Sequence, residues 1–302
     1  MYDVGIIGAG PAGIAAAIYA HRYGLKVGLF DKNFGGSIAN APKIGNYPGF
    51  VSISGVDLVA RFREQIDALK IEYFPVKVKN ITKKDDTFEI SAGKTHYQAK
   101  TIILALGMKR RKLKVPGEKK FGKKGIAYCV TCDAPLFAGK TVIVVGGGNA
   151  GVAGAVALSN IAKKVYLIEM QPRLLADQAR IDDLAKTKTE IILGNSITEI
   201  RGKNFVESIA LAKPYQGQKE LKINGVFVEI GSEPRRQLAK KLGLQTDEKD
   251  FIKIDAAGKT NLAGIFAAGD ITTGSNYFWQ STTAIAEGAI VANSCFKYLK
   301  GG

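Results

Sequence analysis

Short apolar runs recur along this chain of 302 residues, and most are rich in valine, isoleucine or leucine. Runs of this length that stop at glycine or another turn residue are typical of buried strands in a parallel sheet. We predict six such strands, at residues 4–7, 26–30, 101–106, 141–145, 165–168 and 264–268.

Longer segments with apolar residues three or four apart lie between these strands and predict helices. Two further segments alternate apolar and polar residues, which indicates small antiparallel meanders at residues 76–99 and 196–230. Strands that alternate with helices favour an α/β fold with parallel sheets. The predicted helices cover residues 12–23, 54–70, 150–161 and about 281–299.

A glycine pattern links the first strand to the first helix. Gly8 permits a tight turn, Gly10 lets the backbone approach a pyrophosphate, and Gly13 allows the helix to pack closely on the strand. The N-terminus of that helix offers N–H groups and a partial positive charge to phosphate. Asp31 follows the second strand, 23 residues after Gly8, where an acid accepts hydrogen bonds from a ribose. The first domain is therefore predicted to bind a dinucleotide.

The same pattern recurs 138 residues later. Glu169 lies 23 residues after Gly146, the interval that also separates Asp31 from Gly8. This internal repeat predicts a second dinucleotide site, with an acid again placed at a ribose. Its candidate binding residues are Gly146, Gly148, Asn149, Ala150 and Glu169.

Two of the three cysteines, Cys129 and Cys132, are separated by two residues, and Asp133 follows directly. A pair at this spacing closes a short disulfide of the kind that is redox-active rather than structural. Three cysteines form no disulfide framework, which favours a reducing compartment. Cys295 and the two histidines stand at no zinc-ligand spacing, so we predict no metal site. Two dinucleotides and one dithiol suggest a path for electrons.

Two changes in composition divide the chain. Residues 108–117 are basic, and residues 231–234 contain glycine, serine and proline, so both segments are predicted linkers. We predict a first domain made of residues 1–110 and 235–302, with a second domain of residues 113–231 inserted into it. The predicted fold class is α/β, with two Rossmann-like three-layer dinucleotide-binding domains that each carry a meander.

The formal net charge is +16, from 43 Lys and Arg against 27 Asp and Glu. Such a charge suits nucleic acid, an anionic surface or an acidic protein partner. The lysines form short clusters without an aromatic-studded tract, which favours a solvated surface over nucleic-acid binding. Residues 141–162 are uncharged, but their central glycines favour a strand, turn and helix over a membrane span. Because no basic segment precedes the first apolar run, we predict no signal peptide and a cytoplasmic protein.

Six motifs occur in order along the chain: GAGPAG at 8–13, GG at 35–36, NYPGF at 46–50, CVTCD at 129–133, GGGNAG at 146–151 and GIFAAGD at 264–270. Together they resemble the low-molecular-weight thioredoxin reductase family, and the resemblance covers essentially the whole chain. It implies a homodimeric flavoenzyme that passes electrons from a pyridine nucleotide to FAD, then to the dithiol, and then to thioredoxin. It also implies FAD in the first domain, the nicotinamide nucleotide in the inserted domain, and a rotation about the linkers during turnover.

The resemblance implies roles for single residues. Cys132 faces the flavin and takes its electrons, Cys129 attacks the partner disulfide, and Asp133 is the general acid for the departing thiolate. The alternative for Asp133 is an acid that only stabilises a helix N-terminus. Asp270 holds the ribityl chain of the flavin, and Cys295 belongs to the core. The other implied FAD contacts are Gly36, Ser37, Asn46, Gly107, Gly269, Gln280 and Ser281.

The second dinucleotide site departs from the family, which grips the 2′-phosphate of NADPH with a His-Arg-Arg run and a later arginine. Those positions here are Glu169, Met170, Gln171 and Leu175. A carboxylate at the strand end accepts hydrogen bonds from ribose hydroxyls and repels a phosphate, so we predict NADH over NADPH. The alternative is a solvated Glu169 in an enzyme that uses neither nucleotide well. Trp279 stands at a family arginine position and is predicted to pack in the core; the alternative is that it stacks on a ring of a bound cofactor.

The leading interpretation is an NADH-dependent reductase of a thioredoxin- or glutaredoxin-like protein, whose acidic surface would suit this basic chain. Enzyme alternatives are a flavoprotein that feeds a peroxidase or ferredoxin, and a dithiol that is reduced by another electron donor. Ala153-Gly154 stands where family members often carry two acids, so the sequence does not indicate how the nicotinamide end of the nucleotide is held. The non-enzyme alternative is a basic nucleic-acid-binding protein. In that interpretation both nucleotide patterns and the dithiol would have no function.

Overall fold

The computed structural model describes residues 1–41 and 44–301, and these form two compact units. The chain passes from unit 1 to unit 2 between Lys109 and Arg110, and it returns between Glu233 and Pro234. Unit 2 is therefore inserted into unit 1, and each unit combines a parallel sheet with helices and an antiparallel meander. The predicted α/β fold class is confirmed.

Helices and strands follow one another along three stretches of the chain. The first holds β1 (Tyr2–Ile7), α1 (Pro11–Arg22), β2 (Val27–Phe30), α2 (Gly55–Ala68), β3 (Glu72–Phe74), β4 (Asn80–Lys84), β5 (Thr87–Ala92), β6 (Thr95–Leu104) and β7 (Met108–Arg110), with a short 3₁₀ helix at Gly36–Asn40. The second holds β8 (Ile126–Ala127), α3 (Val130–Asp133), β9 (Thr141–Val145), α4 (Asn149–Ser159), β10 (Lys164–Glu169), α5 (Gln178–Ala185), β11 (Glu190–Leu193), β12 (Ile197–Arg201), β13 (Ser208–Tyr215), β14 (Gln218–Lys222), β15 (Gly225–Val228) and β16 (Ser232–Pro234), with a 3₁₀ helix at Ala134–Phe137. The third holds α6 (Gln237–Lys241), β17 (Ile265–Ala267) and α7 (Ser281–Leu299), with a 3₁₀ helix at Gly274–Tyr277. Helix α7 has its predicted bounds, and α1, α2 and α4 begin and end within two residues of theirs.

Unit 1 is built on a parallel sheet in the order β3-β2-β1-β6-β17. The N-terminal half of β6 pairs antiparallel with β5, and β5 pairs with β4, so one long strand serves both the meander and the parallel sheet. The sequence instead predicted a meander at 76–99 and a separate strand at 101–106. No glycine or proline interrupts the chain from Thr95 to Leu104, so nothing local ends the strand.

The two faces of this sheet carry different layers. Helices α1, α2 and α7 cover one face, where Ile103 points into their shared core. The meander and α6 cover the other face, around Ile102. Consecutive strand residues point to opposite faces, so β6 contributes to both cores.

Helices α1 and α7 approach each other closely because small residues separate them. A Cβ on Gly288 of α7 would overlap the carbonyl oxygen of Ala12 in α1. Gly269, which follows β17, lies against Ala12 and Ala284, since a Cβ there would stand 2.8 Å and 3.7 Å from their Cβ atoms. Both helices therefore begin at the carboxyl edge of the parallel sheet, where ligands bind in open α/β folds.

Unit 2 repeats this architecture with a parallel sheet in the order β11-β10-β9-β15-β8. Helices α3, α4 and α5 cover the face that includes Val144, and the β12-β13-β14 meander covers the face that includes Ile143. Here the meander and the parallel strand β15 are separate elements. Asn224 separates β14 from β15. Its N–H donates to the carbonyl of Thr141, and its side chain accepts from the N–H of Thr141.

The crossover strands β7 and β16 pair with each other in a small sheet of their own. Among residues 1–41 and 44–301, no helix has the length and apolar character that a membrane crossing requires.

Candidate functional site

The first glycine turn connects β1 to α1 at the carboxyl edge of the unit 1 sheet. Gly8 has a φ of +116°, a conformation that residues with side chains rarely adopt. A Cβ on Gly13 would overlap the carbonyl oxygen of Gly8, so the helix rests directly on the turn. Gly10 precedes α1 and provides no side-chain cap. No side chain of the N-cap residue therefore occupies the first N–H groups of α1, which suits an anion.

Asp31 stands beside this turn, with both carboxylate oxygens bound by the backbone. The N–H of Ala9 donates to one oxygen and the N–H of Asn33 donates to the other, each at 3.0 Å. A carboxylate oxygen accepts two hydrogen bonds, so each oxygen retains a lone pair for a ribose hydroxyl.

Several of the other predicted FAD contacts lie close together. A Cβ on Gly36 would stand 3.0 Å from the Cα of Gly10, which places the two glycines side by side. The Nδ2 of Asn46 donates to Oε1 of Gln280 at 2.9 Å, although 234 positions separate these residues. Gln280 is the N-cap residue of α7, and Ser281 is the first residue of that helix.

The remaining predicted contacts of unit 1 lie in the connections around the sheet. Ser37 belongs to the 3₁₀ helix that begins at Gly36. Gly107 follows β6, and its carbonyl accepts a hydrogen bond from the N–H of Arg235 at 3.2 Å. Both residues adjoin the first glycine turn through their neighbours, because Gly36 lies beside Gly10 and the backbone of Leu106 lies against Gly8.

Asp270 follows β17 and is partly buried beside a second carboxylate. Glu287 of α7 accepts hydrogen bonds from the N–H of Gly269 at 2.7 Å and from the hydroxyls of Thr272 and Ser275 at 3.0 Å and 2.5 Å. Burial, and then the charge of Glu287, raise the pKa of Asp270 from 3.8 to about 6. Sequence reasoning missed Glu287, although a single acid in the apolar helix α7 was an available signal.

We expect Asp270 to lower the stability of the flavin-free protein as the pH rises from about 4 to about 6. Its pKa of about 6 in the folded chain lies above the value near 4 of an unfolded aspartate, so the folded state binds more protons in this window. Rising pH then favours unfolding, and the penalty persists above pH 6. Asp270→Asn should remove it and stabilise the flavin-free protein at pH 7.5 by up to about 3 kcal/mol. Urea unfolding of both proteins at pH 5 and pH 7.5 measures this, and a variant less stable than wild type at pH 7.5 would contradict it.

The second glycine turn repeats this geometry between β9 and α4. Gly146 has a φ of +113°, and a Cβ on Gly151 would overlap the carbonyl oxygen of Gly146. Gly148 precedes α4 without a side-chain cap, and a Cβ at this position would meet no atom within 4 Å. The second turn therefore offers the same open helix end as the first.

The side chain of Asn149 is engaged within the protein. Its Nδ2 donates to Oδ2 of Asp177, and its Oδ1 accepts from the N–H of Asp177, both at 2.8 Å. This reciprocal pair ties the start of α4 to the start of α5. The groups that Asn149 and Ala150 can offer to a ligand are therefore their backbone N–H groups at the helix start, not the amide of Asn149.

Glu169 ends β10 and is the counterpart of Asp31. Its Oε2 accepts from the N–H of Gly147 at 2.6 Å, and its Oε1 accepts from the N–H of Gln171 at 2.8 Å. Each acid thus binds the second residue of its glycine pattern and the residue two positions after itself. Glu169 is only 9% exposed, so it is not the solvated strand end of the alternative interpretation.

The second position of the glycine pattern differs between the units, with Ala9 in one and Gly147 in the other. A Cβ on Gly147 would stand 3.0 Å from Cβ and Cγ of Glu169 and 2.8 Å from Cδ2 of Leu174. Contacts this short are tighter than a packed interior tolerates. The longer acid of unit 2 therefore fills the space that a methyl group would need.

Two glycine variants of α4 separate folding from nucleotide binding. Gly151→Ala forces a Cβ into the carbonyl of Gly146, and we expect a loss of more than about 3 kcal/mol in the free energy of unfolding. Gly148→Ala meets open space, so its stability should stay within about 1 kcal/mol of wild type. Its methyl group should nevertheless hinder a pyrophosphate and weaken nucleotide binding at least tenfold. Urea unfolding measures the stabilities, and nucleotide titration measures the affinities. Equal losses of stability in Gly151→Ala and Gly148→Ala would contradict the different roles assigned to these two glycines.

Beyond Glu169 the rim of the second site carries exposed apolar side chains. Met170 is 70% exposed and Leu175 is 57% exposed. The N–H of Leu175 donates to the carbonyl of Gly147 at 2.9 Å, which holds this rim against the glycine turn. Arg173 lies between them in sequence and is exposed.

The dithiol lies at the start of α3. Cys129 is the N-cap residue and forms a disulfide with Cys132, with 5.4 Å between the Cα atoms. The N–H of Cys132 donates to Sγ of Cys129 at 3.3 Å. Within unit 2, Cys132 is exposed and Cys129 is partly buried. Asp133 is partly buried in the same helical turn, and its N–H donates to the carbonyl of Cys129 at 3.1 Å.

A buried carboxylate connects the dithiol helix to the crossover strand. Glu229 follows β15, and only 4% of its side chain is exposed. The Nη1 of Arg110 donates to it at 2.6 Å, and the backbone of Val130, the first residue of α3, also hydrogen-bonds to it. Burial outweighs these contacts and raises the pKa of Glu229. Sequence reasoning missed this residue, a lone acid within the apolar run at residues 225–230.

Helices α3 and α4 touch at Gly154. A Cβ on Gly154 would stand 2.8 Å from Cγ2 of Val130. A larger side chain at this position would have to displace the dithiol helix.

Trp279 does not pack in the core, and this prediction was wrong. Its ring stacks on Phe251 with 5.3 Å between centroids, yet the residue is 41% exposed. The loop before α7 holds Trp279 on the surface of unit 1, where the ring of Tyr277 also packs edge-on against it with 6.2 Å between centroids. Cys295 is fully buried, with its Sγ 2.9 Å from the hydroxyl of Thr101.

Both glycine turns fit a bound dinucleotide. Each provides an uncapped helix end for pyrophosphate and an acid with free lone pairs for a ribose. Unit 1 adds Asp270 and the Asn46–Gln280 pair at the same sheet edge, which suits the longer polar chain of FAD. Unit 2 offers a dinucleotide turn and the dithiol.

Comparison with known proteins agrees with this arrangement. The pyridine nucleotide-disulphide oxidoreductase family matches residues 2–288. Thioredoxin reductase of Bacillus subtilis (strain 168) is 36% identical over 306 residues, which cover 99% of this chain and 95% of that protein.

Solved structures show the same relationship. Lactococcus lactis thioredoxin reductase (FR conformation) is 32% identical with a TM-score of 0.89, and the match covers 100% of both chains. A ferredoxin-flavin thioredoxin reductase from Clostridium acetobutylicum is 35% identical with a TM-score of 0.55, over 100% of this chain and 99% of that one. The chain is thus an FAD-dependent oxidoreductase that belongs to the pyridine nucleotide-disulphide oxidoreductase family, among its low-molecular-weight thioredoxin reductases.

Proposed function

We propose that this enzyme uses electrons from NADH to reduce the disulfide of a thioredoxin- or glutaredoxin-like protein. The observation that carries the choice of NADH is the buried carboxylate of Glu169, which two backbone N–H groups hold as they hold Asp31. We further propose that the enzyme acts as a homodimer in the cytoplasm.

FAD supplies a two-electron carrier between a nicotinamide and a dithiol. In this proposal unit 1 binds FAD and unit 2 binds NADH. The FAD residues are Gly8, Gly10, Gly13, Asp31, Gly36, Ser37, Asn46, Gly107, Gly269, Asp270, Gln280 and Ser281. The NADH residues are Gly146, Gly148, Asn149, Ala150 and Glu169, with Asn149 and Ala150 acting through their backbone.

The dithiol reduces its partner by two thiolate exchanges. Cys129 attacks one sulfur of the partner disulfide, and the other partner sulfur leaves as a thiolate that takes a proton from Asp133. Cys132 then attacks Sγ of Cys129, which releases the second partner sulfur and closes the Cys129–Cys132 disulfide. The partner gains two electrons, and the dithiol loses two.

The first attack requires a stable thiolate at Cys129. The N–H of Cys132 already points at Sγ of Cys129, and a helix start favours negative charge there. Cys132 is the more exposed residue within unit 2, so this assignment rests on the hydrogen bond and not on access.

Electrostatics favours NADH over NADPH in unit 2. A 2′-phosphate beside Glu169 would meet a like charge, which costs about 4 kcal/mol at about 4 Å and an effective dielectric constant near 20, before screening by salt. About 1.4 kcal/mol is enough for a tenfold preference. The N–H groups of Gly147 and Gln171 donate to Glu169, so they offer the phosphate no compensation.

A second candidate takes its electrons from another donor and does not use the second nucleotide site. The contact between Gly154 and Val130 favours it, because α3 fills the space of an acid that relatives place near the nicotinamide. Similarity to a ferredoxin-flavin thioredoxin reductase also favours it. Glu169 and the open turn at Gly148 favour NADH instead.

Anaerobic titration of the purified holoenzyme distinguishes these candidates. NADH and NADPH are added to separate samples while the visible absorbance of the flavin is recorded. Rapid bleaching by NADH alone supports the proposal, and bleaching by NADPH alone refutes the assignment of Glu169. If neither nucleotide bleaches the flavin but reduced ferredoxin does, the second candidate is correct.

A further inference from the structure

The most densely charged stretch of unit 2 is residues 110–124, which we call the basic segment. All of its cationic residues are exposed, and its single acid, Glu118, is only 6% exposed. This one acid can offset only one of the eight cationic charges of the segment. The cations are Arg110, Arg111, Lys112, Lys114, Lys119, Lys120, Lys123 and Lys124.

Two buried residues hold the basic segment in a fixed shape. The carboxylate of Glu118 accepts hydrogen bonds from the N–H groups of Leu113 and Lys114 at 2.9 Å and 2.8 Å. Phe121 is 1% exposed and belongs to the core beneath the meander of unit 2. With these two anchors pointing inward, the cations on either side of them and between them lie on the outside of the segment.

Backbone conformation does not explain the lysines. Lys114 and Lys123 have φ values of +60° and +64°, where glycine or asparagine would fit with less strain. Both positions nevertheless hold a charged lysine, although the backbone conformation there favours glycine or asparagine. This points to a use for the charge itself.

Among residues 1–41 and 44–301, most of these cations have no acidic partner. Arg110 pairs with Glu229, and Lys120 donates to the carbonyl of Gly202. Within the described part of the chain, the remaining six make no salt bridge. These six are Arg111, Lys112, Lys114, Lys119, Lys123 and Lys124.

The basic segment adjoins the dithiol. The hydroxyl of Tyr128 donates to Glu118 at 2.7 Å, and Tyr128 directly precedes Cys129. Lys124 lies five residues before Cys129, a span of at most about 18 Å. Just past the dithiol, Leu136 is 69% exposed and offers an apolar contact.

We propose that the basic segment docks an acidic surface next to the disulfide of the protein that this enzyme reduces. The inference rests on the proposed function and adds the charge of the partner and the surface that receives it. Nucleic acid is disfavoured, because the one aromatic residue of the segment, Phe121, is buried and provides no stacking surface. Complementary charge at such a surface accelerates encounter by roughly tenfold to a thousandfold at low salt.

Charge reversal tests the proposal in the holoenzyme. One variant carries Lys119→Glu, Lys123→Glu and Lys124→Glu, and a control of equal net charge carries Lys188→Glu, Lys219→Glu and Lys222→Glu, all exposed in unit 2. Each protein is reduced anaerobically with dithionite and mixed with an oxidised thioredoxin of net negative charge. The neutral disulfide 4,4′-dithiodipyridine serves as a second substrate. This design does not depend on whether NADH is the donor.

We expect the basic-segment variant to react with thioredoxin at least tenfold more slowly than wild type at low ionic strength. The control should lose much less, and both variants should react normally with 4,4′-dithiodipyridine. Equal losses in the two variants, or no loss in either, would overturn the docking surface. A wild type that reduces only the small disulfide would refute the proposed partner class as well. Tight binding of a 20-nucleotide RNA to wild type in 150 mM salt, lost in the basic-segment variant, would replace the protein partner with nucleic acid.

Discussion

Serine at either Cys129 or Cys132 should lower the rate of protein-disulfide reduction by more than a thousandfold, while the electron donor continues to reduce the flavin. The expected loss is this large because each sulfur forms or breaks a bond in every turnover and the hydroxyl of serine cannot replace a thiolate. The two variants should differ in what they trap. Cys132→Ser leaves Cys129 free to attack, so it should accumulate a mixed disulfide with thioredoxin, and Cys129→Ser should not. Non-reducing electrophoresis after mixing the reduced enzyme with oxidised thioredoxin measures the adduct.

Cys295→Ser is the matched control for this experiment. Cys295 is fully buried against Thr101 in unit 1, and it takes no part in the proposed exchanges. Its variant should keep the wild-type rate. Trapping by Cys129→Ser instead of Cys132→Ser would reverse the roles of the two sulfurs and agree with the greater exposure of Cys132 in unit 2.

The second large effect concerns the nucleotide. Glu169→Ser combined with Met170→Arg should raise kcat/KM for NADPH at least tenfold and lower it for NADH by a similar factor. The change removes a charge that repels the 2′-phosphate and frees the N–H groups of Gly147 and Gln171. It also puts a cation on the exposed rim, where Met170 is 70% exposed. Steady-state kinetics with both nucleotides measures the shift.

Met170→Arg alone is the control for the nucleotide experiment. It adds the same cation but keeps the carboxylate, so its gain with NADPH should be small. If the single variant gains as much as the double variant, the repulsion by Glu169 is not what selects the nucleotide. If the double variant gains nothing, the selectivity argument fails entirely.

Local sequence rules were sufficient for the main architecture. The glycine patterns, apolar strands and acids at equal intervals predicted both nucleotide units, and helix α7 has its predicted bounds. These features depend on residues close together in sequence, such as Gly8 with Gly13 or Gly146 with Gly151. The family assignment followed from the order of several such patterns, and the comparisons confirm it.

Features that depend on distant residues were not predictable in this way. The contact between Asn46 and Gln280 spans 234 positions, and nothing near either residue indicates it. Glu229 looks like part of a strand in sequence, yet it is a buried carboxylate that Arg110 reaches from the crossover strand. The exposure of Trp279 likewise depends on a loop path that composition does not specify. In each case the missing information is which segments meet.

The contact between Gly147 and Glu169 has a consequence for how the two halves of the repeat diverged. The pairs Ala9 with Asp31 and Gly147 with Glu169 contain the same number of side-chain carbon atoms. In unit 2 the acid is longer by one carbon, and the residue it contacts has one carbon fewer. A mutation at either position is therefore penalised until the other compensates, and the two sites should change together during descent. The coupling would appear as non-additive stabilities of Gly147→Ala, Glu169→Asp and the double variant. Such non-additivity would show that two positions 22 residues apart are coupled through this contact.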